Sequence, residues 1–135
     1  MIYSHKIAKE EPRFSIQGTG RLKVTLQAMK MGHGLVVMIY NNNAHIGAVA
    51  LGDYDEKSKR VSTSIITRLG HKDDAVAAKA AYLISKATLH PACVIAGIHV
   101  DNITKVEINQ ILSNADKLVE RLVLMHLGVP PCYNR

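Results

Sequence analysis

The chain has 135 residues, a formal net charge of +6, no tryptophan and a single phenylalanine, Phe14. That length supports one domain with a substantial core and no need for disulfides or a structural metal. No apolar run approaches the roughly 18 residues that span a bilayer, and the basic residues are scattered without interleaved aromatics, which excludes a nucleic-acid-tracking stripe.

The surplus positive charge suits an anionic small molecule or an acidic partner surface. The opening residues, MIYSHKIAKEEPRF, are charged and lack an apolar leader segment, so a cytoplasmic location is expected and no membrane association. Cys93 lies in an apolar run and Cys132 in a polar stretch near the end, which does not make a framework disulfide.

Residues 1–12 read as an irregular arm that Pro12 closes, because proline has no N–H to give a sheet. Residues 13–17 alternate as a strand, Gly18-Thr19-Gly20 breaks the pattern, and Leu22, Val24, Leu26 and Ala28 then form one face of a second strand. After Gly32 and Gly34 the run 35–40 is apolar on both faces, as a central strand is. Asn41, Asn42 and Asn43 supply a turn, since Asn tolerates left-handed geometry. Residues 45–51 read as the return strand and 60–69 as a fifth, with Val61, Thr63, Ile65, Thr67 and Leu69 on one face.

At Gly70 the period becomes helical, with Asp73 and Asp74 in the first turn and Val76, Ala80, Leu83, Ile84 and Ala87 as the apolar stripe. Pro91 ends that helix, 92–100 is another apolar strand, and Asp101-Asn102 turns into the last helix. Thr104 and Glu107 have capping-box spacing, and Ile103 and Ile108 that of a hydrophobic staple. A 3.6-residue face from Ile108 through Ala115 and Leu122 to Met125 follows, stopped by Gly128 and Pro130. The expected fold is α+β: an antiparallel five-stranded meander, then helix, strand and a long C-terminal helix, the helices packed on the sheet. The expected organisation is an arm at 1–12, a domain at 13–128 and a tail at 129–135.

The sequence holds no Walker A loop, no G-x-S-x-G elbow, no H-E-x-x-H and no C-x-x-C. Gly18-Thr19-Gly20 is half of a dinucleotide loop, but it joins two strands and opens no helix, so it reads as a turn. Of the seven histidines, His45, His71 and His99 fall at element boundaries. None is spaced from another as metal ligands on one helix or strand are, so a metal site requires the fold to collect them.

Arg68, His71 and Lys72 surround Gly70 where a strand meets a helix N-terminus, a setting that suits a phosphate. An ordinary helix start, whose N–H groups Asp73 and Asp74 satisfy, accounts for the same residues. His99, Asp101 and Asn102 sit at the mouth of an apolar strand, where a His–Asp pair can move a proton or a local turn can form. No catalytic residue is assigned.

Three segments, residues 43–52, 70–74 and 96–104, together carry a pattern that resembles the LpdD-like family, the small D subunits that accompany UbiD-type gallate and protocatechuate decarboxylases. The resemblance covers about residues 13–127 and is most specific at 97–104. It implies a non-catalytic homodimeric chaperone that binds prenylated FMN, or FMN, and assists its maturation or its passage from a flavin prenyltransferase to the apo-decarboxylase. It implies a fold similar to that of proteasome assembly chaperones. The matching positions, chosen by chemistry, are His45, Arg68, His71, Lys72, His99, Asp101 and Asn102. A protein-assembly chaperone that never touches flavin, and a small acid–base enzyme using His99 and Asp101, are the alternatives. Flavins commonly stack on aromatic rings, and only Tyr40 and Tyr54 lie near these segments.

Overall fold

The computed structural model describes residues 13–68 and 73–128; the arm, the tail, and the residues Leu69, Gly70, His71 and Lys72 lie outside them. Strands β1 (Arg13–Gln17), β2 (Val24–Met31), β3 (Gly34–Tyr40), β4 (Ala48–Asp55) and β5 (Arg60–Thr67) precede helix α1 (Asp74–Thr88), which leads through β6 (Ala92–Gly97) to helix α2 (Lys105–His126). A single 3-10 turn, Gly20–Leu22, joins β1 to β2. The α+β class is as expected, and no helix among the described residues is long and apolar enough to cross a membrane.

The meander is not formed. The sheet has six strands in the order β1-β2-β3-β6-β4-β5, so β6 inserts between β3 and β4, parallel to the first and antiparallel to the second. The physical reason lies in composition. Strands β3 and β6 are apolar on both faces, and such strands are stable only with neighbours on either side. Pairing β3 with β4 as a hairpin would have put β6 at an edge. The connection from β3 to β4 instead spans the width of β6, and the strand after it starts at Ala48 and not at His45.

Strand alternation sends Val24, Leu26 and Ala28 of β2, Val37 and Ile39 of β3, and Ala92, Val94 and Ala96 of β6 to one face, where all are buried. Both helices cover that face. Helix α2 presents Ile111, Ala115, Leu118, Val119 and Leu122, and fully burying a Leu or Ile such as Leu118 or Ile84 contributes about 1.5–3 kcal/mol. Helix α1 packs on Ala77, Ala80, Ala81, Ile84, Ser85 and Thr88, a face one position round from the expected stripe, so that Leu83 is left exposed. Small side chains let this helix come close. A Cβ on Gly52 of β4 would collide with the carbonyl oxygen of Ala81.

Helix α2 also buries Asn114, which the apolar pattern did not flag. Its amide donates to the Leu22 carbonyl at 2.9 Å and its oxygen accepts from Gln110 at 3.0 Å. A buried amide satisfied in this way fixes the helix against the 3-10 turn. The capping box is formed as expected: Thr104 Oγ1 accepts from the Glu107 N–H, and Glu107 accepts from the Thr104 N–H.

Among the described residues, no helix covers the opposite face of the sheet. Met29, Val36, Met38, Ile95, Leu51 and Ile66 share it, with Met29 and Leu51 about half exposed (47% and 46%) and Ile66 75% exposed on the edge strand.

Candidate functional site

The parallel strands β3 and β6 end together, and the chain leaves them in different directions. Ligands meet α/β sheets at such divergent carboxyl ends. Residues 41–47 cross over the end of β6 to reach β4. The crossing is close: a Cβ on Gly97 would collide with the carbonyl oxygen of His45. Backbone bonds tie the loop to the strand it straddles, from Asn41 N–H to the Gly97 carbonyl at 3.3 Å and from Gly47 N–H to the Ala96 carbonyl at 2.9 Å.

Asn41 does more than turn the chain. Its amide nitrogen donates to the His99 carbonyl at 2.7 Å and its oxygen accepts from the His99 N–H at 3.1 Å. The side chain thus imitates one more rung of the β3/β6 ladder and holds His99 at the mouth.

The far end of the loop is clamped from two directions. Asp73, buried ahead of α1, accepts from the Ile98 N–H at 3.1 Å, and its carboxylate lies so close to Gly47 that no side chain could stand there. Arg68 donates from Nη1 to the Ile46 carbonyl at 2.9 Å, and its own N–H bonds the Gly47 carbonyl. Asp73 therefore anchors β6 to the loop, where the sequence suggested a helix-dipole partner or a cap for the helix N–H groups; its side chain makes no cap hydrogen bond.

On this frame His45 and His99 are brought together, their rings 6.3 Å apart and 24° from parallel. Nε2 of His99 lies 2.9 Å from Oδ1 of Asp101, with the two side chains 56% and 87% exposed. Asn102 takes the left-handed turn, φ 51°. Among the sequence-derived positions, then, His45, His99 and Asp101 meet, Arg68 shapes the loop, Asn102 makes the turn, and His71 and Lys72 lie outside the described residues. Among the described residues no group of three His, Cys, Asp or Glu gathers in metal-binding geometry. A second stacked pair, His33 and His90 at 5.4 Å, marks the opposite ends of the same two strands.

Two cavities open on either side of the histidines. One, of about 280 Å³, lies on the open sheet face and is mostly apolar, with Met38, Tyr40, Ile46, Ile95 and Gly97 around His45. The other, of about 210 Å³, is polar and brings Arg21, Lys23, the three asparagines and Asp101 around His99. Arg21 is fixed by Glu107 at 2.8 and 3.1 Å and by the Asp101 carbonyl at 3.0 Å. Sequence reasoning missed Arg21, Lys23, Tyr40 and Asn41 as site residues. Only the β3–β6 pairing brings them to the histidines, and no local spacing announces that pairing.

Two outcomes follow. Gly97→Ala should push the loop off β6, lowering stability to chemical denaturation by about 1–3 kcal/mol and shifting the amide resonances of residues 41–47; an unaltered spectrum contradicts the crossing. The Glu107 carboxylate is held below the usual glutamate range, first by the Arg21 hydrogen bond and then by the Thr104 N–H. A depressed folded-state value contributes stability that is present above the unfolded value and lost as pH falls through the folded one. The stability gap between wild type and Glu107→Gln, followed by urea unfolding across pH, should therefore be open at neutral pH and close in acid. A gap that persists in acid would assign Glu107 a purely steric role.

The family model described as the prenylated flavin chaperone LpdD-like domain matches residues 18–126. No curated protein is matched by the sequence. Among solved structures the chain is similar to one in the crystal structure of a novel chaperone complex for yeast 20S proteasome assembly, at 13% identity and a TM-score of 0.58 over 87% of this chain and 98% of that one. At that identity the likeness concerns the fold, and it agrees with the expected similarity to proteasome assembly chaperones. With the model running from Gly18 to the last residue of α2, through the crossing loop and both cavities, the chain belongs to the prenylated flavin chaperone LpdD-like family.

Proposed function

We propose that the protein holds prenylated FMN at the mouth formed by His45, His99 and the ends of β3 and β6, and assists its maturation or delivery to a UbiD-type aromatic-acid decarboxylase. In this reading it receives the flavin from a flavin prenyltransferase and performs no turnover of its own. The observation that carries the reading is the apolar cavity that runs from Met38 and Ile95 to Tyr40 and His45. A flat ring system needs apolar walls and a few polar contacts, and Tyr40 provides the aromatic neighbour that the composition otherwise lacks.

A homodimer is part of the proposal. Beside that cavity the open sheet face is apolar and uncharged along the row Met29, Val36 and Leu51. A two-fold pairing sets a surface against itself, so charges at its centre would oppose their own copies. The same face favours a second reading, a chaperone that docks on the decarboxylase as protein on protein and never carries flavin. An acid–base role for His99 and Asp101 has their 2.9 Å contact in its favour. Their exposure leaves the pair without the burial that tunes catalytic groups.

Co-expression with a flavin prenyltransferase and purification in the dark tests the proposal. The expected result is a flavin absorbance and a prenylated FMN mass at near-stoichiometric occupancy, both reduced in His45→Ala and His99→Ala. A colourless protein that still raises decarboxylase activity would replace it with the protein-docking reading.

A further inference from the structure

We infer that the polar cavity on the Lys23 side of the histidines is a phosphate-monoester site, and that it seats the phosphate of the flavin whose ring lies on the Tyr40 side. The second half rests on the flavin reading above; the first does not. The cavity, about 210 Å³, is lined by Arg21, Lys23, Asn42, Asn43 and His99 together.

What distinguishes these groups is which of them are already engaged. Asp101, the acid that lines the cavity, is hydrogen-bonded to His99 at 2.9 Å, and Glu107 beside it is paired with Arg21 at 2.8 Å. Lys23, half-buried at the start of β2, makes no ion pair among the described residues. Asn42 and Asn43 make no side-chain hydrogen bond among them either, whereas Asn41 spends its amide on His99. One uncompensated cation and two uncommitted amides thus face a cavity whose guanidinium is already oriented. An ammonium and neighbouring donors held in this way suit a phosphate through charge-assisted hydrogen bonds. Gly20 leaves the approach open, since nothing stands within 4 Å of where its Cβ would be.

The position relative to the apolar cavity selects the ligand. His99 lines one cavity and His45 the other, with 6.3 Å between their rings. A molecule with a planar head and a phosphorylated polyol tail can lay its head on the open sheet face and pass the histidines to reach Lys23. The Arg68 junction, the phosphate seat suggested by the sequence, has its guanidinium engaged with the Ile46 carbonyl at 2.9 Å.

The experiment compares prenylated FMN with its phosphatase-treated, dephosphorylated form by fluorescence titration against wild type, Lys23→Met and Lys23→Arg. Wild type should prefer the phosphorylated ligand by about 10-fold or more, the value of a charge-assisted hydrogen bond. Lys23→Met should erase the preference while leaving affinity for the dephosphorylated form unchanged, and Lys23→Arg should retain most of it. Equal binding of the two ligands by wild type, or a preference that survives Lys23→Met, overturns the site and leaves the flavin reading standing. If neither flavin binds, that reading fails and phenyl phosphate decides the anion site alone. Amide shifts at residues 20–23 and 41–43 that Lys23→Met removes would uphold it, and their absence would overturn it.

Discussion

The structure depends on one crossing: the connection from β3 to β4 must pass over the end of β6. Because β6 separates the two strands, seven residues, 41–47, have to bridge two strand spacings, roughly 10 Å. They do so with the His45 carbonyl against Gly97, where any side chain would block the path. Asn41 at one end and Asp73 with Arg68 at the other then satisfy the backbone groups that the crossing would leave unpaired. The loop is held by the sheet, the first helix and the edge strand at once.

The site follows from that arrangement. A loop pinned over a strand end brings His45 beside His99, although they are far apart in the chain, and divides the mouth into an apolar side on the open sheet face and a polar side toward the 3-10 turn. Arg21 extends the frame to α2 by joining Glu107, the capping-box acid, to the Asp101 carbonyl. Helix start, turn and cavity wall therefore share one network. Such shared anchoring is what gives a ligand site a defined shape on connecting segments.

Much of this was legible in the chain, and the parts that were not have physical reasons. The alternation of β2, the doubly apolar β3 and β6, the Thr104–Glu107 box and the stop at Gly128 are local patterns and read correctly. The strand order was not local: two adjacent apolar runs joined by asparagines look like a hairpin, and nothing in the 41–43 turn signals that another strand intervenes. The face of α1 was displaced because alanines and a serine, and not its largest apolar residues, set the closest approach to Gly52. His45, His99 and Asp101 were singled out by chemistry at element ends, and the fold places them side by side. Lys23 and Asn41 carried no such signal, since a lysine on a strand and an asparagine in a turn are commonplace until the fold brings them to one space.

Everything proposed for the flavin requires it to sit at this crossing and not elsewhere on the molecule. Amide hydrogen–deuterium exchange of the protein, with and without prenylated FMN, tests it most directly. The account predicts slowed exchange concentrated in residues 40–47 and 97–101. Protection confined to the groove between the helices, where Val76, Leu83, Leu112 and Val119 line a separate cavity of about 220 Å³, or no protection with ligand demonstrably bound, would contradict it.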